Sequence, residues 1–217
     1  MSLKERVSVV RVTDELTRAQ ARDVISATYR DEKGWVGDAD SQIPPDDLER
    51  EDVSWFCASL EGVPVGVLRV LYDPPLELYA KYGFELTDKG IDVEAFIRSH
   101  RIAEVGRFAV RPEYRKYIVV VAALMRSAST ETVMRGYTHY ITDVFEDDPH
   151  SPLHFHTRVM GFEPVATHSV GELNSTSRRI TLVLDLKASY QRLRRQGSWI
   201  YRFLTEGWDE RLHSRLA

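Results

Sequence analysis

Nine consecutive apolar residues, Tyr117–Met125, lie between two segments that have the composition of β-strands. These segments are Ile102–Val110 before the apolar run and Tyr137–Phe145 after it. Apolar residues continue beyond the run at helical spacing, so we expect a buried helix that ends near Gly136. A strand, a helix and a second strand in this order predict a helical crossover between neighbouring strands of one sheet.

An earlier part of the chain predicts antiparallel pairing. Val53–Leu60 and Val63–Tyr72 are rich in residues that favour strands, and Glu61-Gly62 between them is typical of a β-hairpin turn. Further strands are expected at Val7–Val12, Phe162–Thr167 and Arg179–Leu186, and helices over 15–33, over 150–160 and from Ala188 onward. A hairpin combined with a helical crossover predicts an α/β (α+β) fold, in which helices flank a mixed central β-sheet.

Composition excludes several classes of protein. The chain has 217 residues, 43% of them hydrophobic, which is enough for a sizeable core and argues against intrinsic disorder. Its single cysteine, Cys57, excludes a disulfide scaffold and a cysteine-rich zinc site. No apolar run reaches the about 20 residues that span a bilayer, and the first thirty residues contain no signal-peptide core. We therefore expect a cytoplasmic protein without stable membrane insertion, and a net charge of −4 gives no indication of nucleic-acid binding.

The C-terminal segment predicts an appendage to the main domain. We expect one domain over residues 1–187, followed by an amphipathic helical extension over 188–217 that packs on it. Apolar side chains recur from Tyr190 to Trp208 at helical spacing, with an interruption at Gly197. Such a segment packs on its own domain or on a second subunit, so a homodimer remains an alternative.

The charges are distributed unevenly along the chain. Nine carboxylates but only two basic residues lie between Asp31 and Asp52, whereas the stretch Arg98–Lys116 contains six basic residues. Runs of like charge are often no more than solvated surfaces. The alternative is an acidic segment near a cationic ligand and a basic surface for an acidic partner.

Residues 104–115 read Glu-Val-Gly-Arg-Phe-Ala-Val-Arg-Pro-Glu-Tyr-Arg, and together with the order of elements this motif resembles the GNAT superfamily of acyltransferases. In that superfamily a glycine-rich turn follows, whose backbone N–H groups hold a pyrophosphate. Here Lys116-Tyr117-Ile118-Val119-Val120 follows, so side chains replace both glycines and keep a pyrophosphate away from the backbone. Thr157 stands where the superfamily has a tyrosine.

A narrower resemblance is to the acyl-homoserine-lactone (autoinducer) synthases and the long-chain N-acyl amino acid synthases. Their pattern is an aromatic residue and a tryptophan six positions later, an acidic loop, a G-x-x-R strand and an E-x-[SG]-R-[FL] strand. The matching positions in this chain are Tyr29 and Trp35, Asp47 in the loop, Gly66–Arg69 and Glu104–Phe108. The resemblance covers residues 15–165. Because Ile25 stands where the lactone synthases carry an arginine, an N-acyl amino acid synthase or a related enzyme fits better.

The resemblance and the strand pattern together predict a site. We expect Glu104 to take a proton from the attacking amine and Arg107 to act from the opposite face of the strand, with Glu104 and Phe108 on one face. The backbone N–H groups around Phe108–Val110 are expected to stabilise the oxyanion. Substrate binding is assigned to Trp35, Asp47, Arg69, Phe108 and Ile141, and acyl-donor binding to Val110, Arg111, Arg115 and Lys116. The alternative is that Glu104, Arg107, Arg69 and Asp47 form a structural ion network.

The function expected is an N-acyltransferase that moves an acyl chain from a thioester to the amine of an amino acid or an amino-acid-derived metabolite. The co-substrate is expected to be the phosphopantetheine of an acyl carrier protein or, alternatively, acyl-coenzyme A, with no tightly bound cofactor. His150, His154 and His156 lie close together, but no carboxylate follows at a signature spacing, so no metal is expected. The alternatives are an acetyl-coenzyme A-dependent acetyltransferase and a non-catalytic relative that binds an acyl ligand.

Overall fold

The computed structural model describes residues 6–76, 81–90 and 92–217. The strands of this part of the chain are β1 (Val7–Arg11), β2 (Val53–Leu60), β3 (Val63–Tyr72), β4 (Glu85–Leu86), β5 (Ile102–Val110), β6 (His139–Phe145), β7 (Glu163–His168) and β8 (Arg179–Asp185). The α-helices are α1 (Glu15–Ile25), α2 (Val93–Ser99), α3 (Ile118–Met134), α4 (Leu186–Arg195), α5 (Trp199–Leu204) and α6 (Glu210–Leu216). The strands follow the order β1-β2-β3-β5-β6-β8-β7-β4, which confirms the predicted mixed sheet flanked by helices.

The chain divides into two compact units. The first contains residues up to Leu71, Val105–Glu131 and Arg202–Gly207, and the second contains Tyr72–Glu104, Thr132–Tyr201 and Trp208–Ala217. Strand β5 contributes to both, because its first three residues belong to the second unit and the remainder to the first.

The first unit is built on the predicted hairpin. Strand β1 pairs antiparallel with β2, and β2 pairs antiparallel with β3. Both turn residues, Glu61 and Gly62, have positive φ angles, of 53° and 83°. Two positive φ angles in a two-residue loop give the turn whose twist matches that of the flanking strands. The sequence signal at Glu61-Gly62 is therefore confirmed.

Helix α3 packs closely in the first unit. Val120, Leu124 and Met125 are fully buried, which accounts for most of the apolar run, whereas Ile118 in the first turn is 47% exposed. Gly66 of β3 makes this packing possible. A Cβ atom at Gly66 would lie 3.0 Å from Leu124 Cδ1 and 3.1 Å from Val120 Cγ1, so a larger residue would force these two side chains of the helix to shift.

The second unit contains the parallel pair that the helical crossover predicts. Strands β5 and β6 pair in parallel, and the pairing ends at Glu104 and Ile141. Strand β8 pairs antiparallel with β6 on one side and with β7 on the other. The short strand β4 pairs with β7 and was not predicted, because two residues are too few to show a β-strand pattern. The sequence also predicts irregular structure with one or two short helices over 76–99, and residues 77–80 and 91 of this segment lie outside the described residues.

The predicted helices at both ends of the chain differ from the structure in detail. The helix expected to reach Lys33 is confirmed, but after α1 it widens into a π-helical turn over Ser26–Glu32. The C-terminal segment forms three short helices rather than one. Gly197 and Gly207 have φ angles of 60° and 82°, and a residue in this conformation terminates a helix. Within the described residues, no helix is both long enough and apolar enough to cross a membrane.

Candidate active site

Strand β5 carries both predicted catalytic residues, Glu104 and Arg107, and its backbone is irregular in the middle. Arg107 has a φ angle of 49°, a left-handed conformation that is strained for a residue with a side chain and does not occur in a regular strand. The alternation that placed Glu104 and Phe108 on one face assumes a regular strand, and the conformation of Arg107 interrupts it between these two residues.

Asp47 lies in a buried polar contact of the first unit. The indole Nε1 of Trp55 donates a hydrogen bond to Asp47 Oδ2 at 2.8 Å, and Arg50 Nη1 donates to Asp47 Oδ1 at 3.2 Å. Arg69 pairs with Trp55 across β2 and β3, and its guanidinium lies 6.0 Å from the centroid of the Trp55 ring system. The structure therefore brings together Asp47 and Arg69, both predicted, through Trp55, which was not. A tryptophan in a buried strand requires an acceptor for its N–H group, and from this requirement the sequence could have indicated a polar partner for Trp55.

The acidic loop that contains Asp47 is held by arginines of α1. The buried Arg18 donates from Nε to the carbonyl oxygen of Ile43 at 2.8 Å. Both Arg18 and Arg22 form ion pairs with Asp40, at 3.4 and 3.2 Å. Part of the excess negative charge in the loop is therefore neutralised locally. Ile25, at the position where lactone synthases carry an arginine, is completely buried.

Trp35 is placed by the π-helical turn. Its backbone N–H donates to the carbonyl oxygen of Tyr29 at 2.7 Å, and the two aromatic rings meet edge to face with centroids 5.2 Å apart. The ammonium group of Lys33 lies 5.6 Å from the centroid of the Trp35 ring system. The spacing of the aromatic residue and the tryptophan thus corresponds to a direct contact.

Of the residues predicted to bind the acyl donor, Arg115 is already ion-paired within the first unit, whereas Lys116 is exposed. Arg115 forms a two-pronged ion pair with the carboxylate of Glu32, and its Nε donates to the carbonyl oxygen of Val110 at 3.0 Å. The side chain of Lys116 is exposed, with its ammonium group 5.1 Å from the centroid of the Tyr117 ring.

Arg111 differs from Arg115 in its contacts. Its guanidinium Nε is buried and has no hydrogen-bond partner in the described part of the chain. Burial raises the pKa of the Cys57 thiol to about 11, and the positive charge of Arg111 partly opposes this rise. Cys57 therefore remains protonated at neutral pH and is no nucleophile.

Two backbone N–H groups at the turn before α3 are already hydrogen-bonded within the chain. The backbone N–H of Tyr117 donates to the carbonyl oxygen of Tyr114, and the N–H of Val120 donates to that of Tyr117, each at 3.0 Å. The side chain of Val120, in the first turn of α3, is fully buried. A pyrophosphate cradle requires unused backbone N–H groups, and the N–H groups of Tyr117 and Val120 are not available for one.

In the second unit, the register of the sheet places Glu104 on the same face as several polar side chains. Glu104 pairs with Ile141, and Asp143 follows two residues later on that face of β6. Asp143 Oδ1 accepts a hydrogen bond from the hydroxyl of Thr181 at 2.6 Å, and Asp143 Oδ2 lies 3.1 Å from His168 Nε2. Burial alone would lower the pKa of His168, but the hydrogen bond and the charge of Asp143 outweigh it and raise that pKa.

The Tyr82 ring packs on one of these polar side chains, His168. The two rings are stacked, with a centroid distance of 5.7 Å and an interplanar angle of 11°. Burial, followed by the negative charges of Glu172, Glu104 and Asp143, raises the pKa of the Tyr82 phenol. Sequence reasoning missed Tyr82, Asp143 and His168. None of them lies in a motif, and their proximity depends on the pairing of β6, β7 and β8.

The histidines that follow β6 do not form a metal site. His156 is completely buried, and burial lowers its pKa to about 3, so its imidazole is neutral at physiological pH. Within the described residues, no group of three or more histidine, cysteine, aspartate or glutamate side chains is arranged to hold a metal ion.

A family model described as FeeM, an N-acyl amino acid synthase, matches residues 20–173 of the chain. The chain belongs to the FeeM N-acyl amino acid synthase family. The matched segment includes every residue that the sequence assigns to the site, from Trp35 to Ile141. No curated protein matches the chain significantly by sequence.

Solved structures support the FeeM assignment at the level of the fold. FeeM itself, from uncultured soil microbes, aligns with a TM-score of 0.65 at 17% identity and covers 91% of this chain and 98% of its own. A protein assigned to the GNAT acetyltransferases, from Desulfovibrio desulfuricans, aligns with a TM-score of 0.57 at 13% identity, over 82% of this chain and 98% of that one. The NatC complex bound to Gag peptide and CoA aligns at 0.54 and 12% identity, over 82% and 99%. The chain is therefore an acyltransferase of the FeeM family that has the fold of the GNAT acetyltransferases.

Proposed function

We propose that this acyltransferase moves an acyl group from an acyl carrier protein to the amine of an amino acid or an amino-acid-derived metabolite. We choose acyl carrier protein as the donor because, in the turn before α3, the backbone N–H groups of Tyr117 and Val120 are already hydrogen-bonded. A donor that presents its thioester on a phosphopantetheine arm needs no pyrophosphate cradle at this turn, whereas coenzyme A uses one.

Positive charge near the same turn supports a carrier protein. Arg111 and Lys116 flank the turn and Arg107 precedes it, and acyl carrier proteins present acidic surfaces. Arg115 contributes less, because Glu32 neutralises its charge. Lys116 is the side chain most suited to meet an acidic partner, since it is exposed.

The reaction joins the acceptor nitrogen to the acyl carbon and breaks the bond between that carbon and the thioester sulfur. The amine must lose a proton to attack and to form the amide, and Glu104 is the proposed acceptor of that proton. The oxyanion of the tetrahedral intermediate would accept hydrogen bonds from the backbone N–H groups that follow Arg107. The leaving thiolate takes up a proton to give the free thiol, so that the products are an amide and the thiol of the carrier.

The test is turnover with matched donors. The purified protein is incubated with one fatty acyl chain carried by acyl carrier protein or by coenzyme A, together with the twenty proteinogenic amino acids, and amides are measured by mass spectrometry. We expect amide formation with a strong preference for the carrier-protein donor. Glu104→Gln should abolish turnover, whereas the control Glu94→Gln, on the exposed surface of α2, should not.

Two results would contradict the proposal. A preference for acetyl-coenzyme A with no long-chain amide would identify an ordinary acetyltransferase. A carrier-bound or free acyl ligand that co-purifies without any turnover would identify a non-catalytic relative. The variant Lys116→Glu adds a test of docking, because it should raise KM for the carrier-protein donor but not for the amine, and Lys187→Glu is the control on an exposed position of α4.

A further inference from the structure

Tyr82 belongs to the second unit and is held in place there by contacts with strand β7. Strand β4 pairs with β7 so that Glu85 lies opposite Thr167, which brings the preceding residues alongside the end of β7. The Tyr82 ring stacks nearly parallel on His168, and the Phe84 ring lies 6.1 Å from the same imidazole. Tyr82 is therefore fixed by an aromatic stack on a side chain of the sheet.

The contacts of the imidazole beneath Tyr82 favour its protonated form. Its Nδ1 lies 2.7 Å from the carbonyl oxygen of Val170, and its Nε2 lies 3.1 Å from Asp143 Oδ2. Both ring nitrogens thus face acceptors, an arrangement that is satisfied when both carry a hydrogen, and the side chain of His168 is completely buried. The charged groups that face His168 are Asp143 on β6 and Arg179 on β8. A tyrosine ring packed on a desolvated cation is held more firmly than one packed on a neutral ring.

The Tyr82 ring stacks on His168, and the strand register places His168 on the same face of the sheet as the proposed base, Glu104. Burial, followed by the negative charges of Glu172, Glu104 and Asp143, disfavours the ionised form of the Tyr82 phenol and raises its pKa. Glu104 and Asp143 lie on one face of neighbouring strands, so an amine that approaches Glu104 on that face meets a neutral phenol that can donate a hydrogen bond or pack against the substrate.

We propose that Tyr82 contacts the acceptor and is a specificity-determining residue for the amine substrate, and that His168 and Asp143 are positioning residues for it. This inference rests on the proposed function, because it takes Glu104 as the group that the amine approaches. The proposal adds Tyr82 to the residues that line the acceptor site, and the sequence motifs do not include it.

Kinetics of two Tyr82 variants test the contact. Tyr82→Phe keeps the stacked ring and removes the hydroxyl, so KM for the preferred amino acid should rise about 3- to 10-fold, as expected for the loss of one hydrogen bond. Tyr82→Ala should in addition extend turnover to bulkier acceptors. KM for the acyl donor should be unchanged in both, and Tyr201→Phe, in a different aromatic contact, serves as the matched control. Unchanged acceptor KM and an unchanged acceptor range in both variants would overturn the proposal.

The positioning role has its own test. Asp143→Asn removes the charge that holds His168 protonated, so the pKa of His168, followed by NMR of its ring protons, should fall. KM for the amine should rise while KM for the donor stays the same. The effect should also be smaller when Tyr82→Phe is already present, because both changes act on one contact. If Asp143→Asn raises KM for the amine by the same factor with and without Tyr82→Phe, the positioning role is rejected.

Binding without turnover separates this inference from the proposed function. Amino acids are titrated into the protein labelled at its tyrosine rings, with no acyl donor present. A shift of the Tyr82 signal with one of the amino acids supports the acceptor contact even if the donor has been chosen wrongly. If the wild type forms amides but no amino acid shifts the Tyr82 signal, the inference fails and the proposed function stands.

Discussion

Replacement of Asp47 separates a structural role from a substrate-binding role at this position. In Asp47→Ala the indole N–H of Trp55 loses its buried acceptor, and a hydrogen bond to a charged group contributes about 1.5–3 kcal/mol. The ion pair with Arg50 adds little, at most about 1 kcal/mol, because the Arg50 side chain is 46% exposed. We therefore expect Asp47→Ala to lower the free energy of unfolding by about 2–4 kcal/mol.

Asp47→Asn is the informative comparison. Its amide oxygen can still accept the hydrogen bond from Trp55, so the expected loss is only about 1 kcal/mol. Unfolding in urea, followed by far-ultraviolet circular dichroism, measures both variants. Asp46→Ala is the control on the same turn, because the Asp46 side chain is exposed.

The outcomes of this series are distinct. If Asp47→Ala lies within about 0.5 kcal/mol of the wild type, the buried hydrogen bond does not stabilise the protein and the reasoning is refuted. If Asp47→Asn is folded but KM for the amine rises more than tenfold, Asp47 also binds the substrate, as the sequence predicts. If Asp47→Asn keeps full activity, the role of Asp47 is to hold the acidic loop on β2 through Trp55.

Three further predictions concern packing, pH and charge. Gly66→Ala should lower the free energy of unfolding by about 1–3 kcal/mol through overpacking against α3, whereas Gly37→Ala, which faces open space, should change it little, as thermal unfolding would reveal. His156 takes up a proton in the unfolded chain below pH 6.5 but in the folded protein only near pH 3. The free energy of unfolding of the wild type should therefore fall by about 1.4 kcal/mol per pH unit below pH 6.5. His156→Phe should remove this dependence, as urea titrations at about pH 7 and about pH 5 would show. Arg115→Gln and Glu32→Gln should each cost about 1 kcal/mol, because the pair is only partly exposed, and KM for the carrier-protein donor should rise only in the arginine variant.

The secondary structure could be predicted well where local pattern and packing agree. The hairpin at Glu61-Gly62 and the buried helix α3 follow from signals within a few residues, because turn geometry and helical period are local properties. The strand β4 and the division of the C-terminal segment into three helices were not predicted. A two-residue strand exists only through its pairing with β7, and the breaks depend on the left-handed conformations of Gly197 and Gly207.

The candidate site shows the same limit more sharply. Asp47, Arg69 and Trp35 could be named from motifs, but their contacts to Trp55 and Tyr29 could not. Periodicity could not assign the faces of the residues of β5 beyond Gly106, because it assumes a regular strand and the backbone at Arg107 is not regular.

Short runs of residues encode the class of fold, the motifs of the acyltransferase and the lack of a glycine-rich turn, so these could be predicted without the structure. Packing and strand register establish that two backbone N–H groups of that turn are already used, and that Tyr82, His168 and Asp143 come together on the face of the sheet that carries Glu104. These residues come from four separate segments, so strand register and packing across the sheet, rather than any local pattern, bring them together.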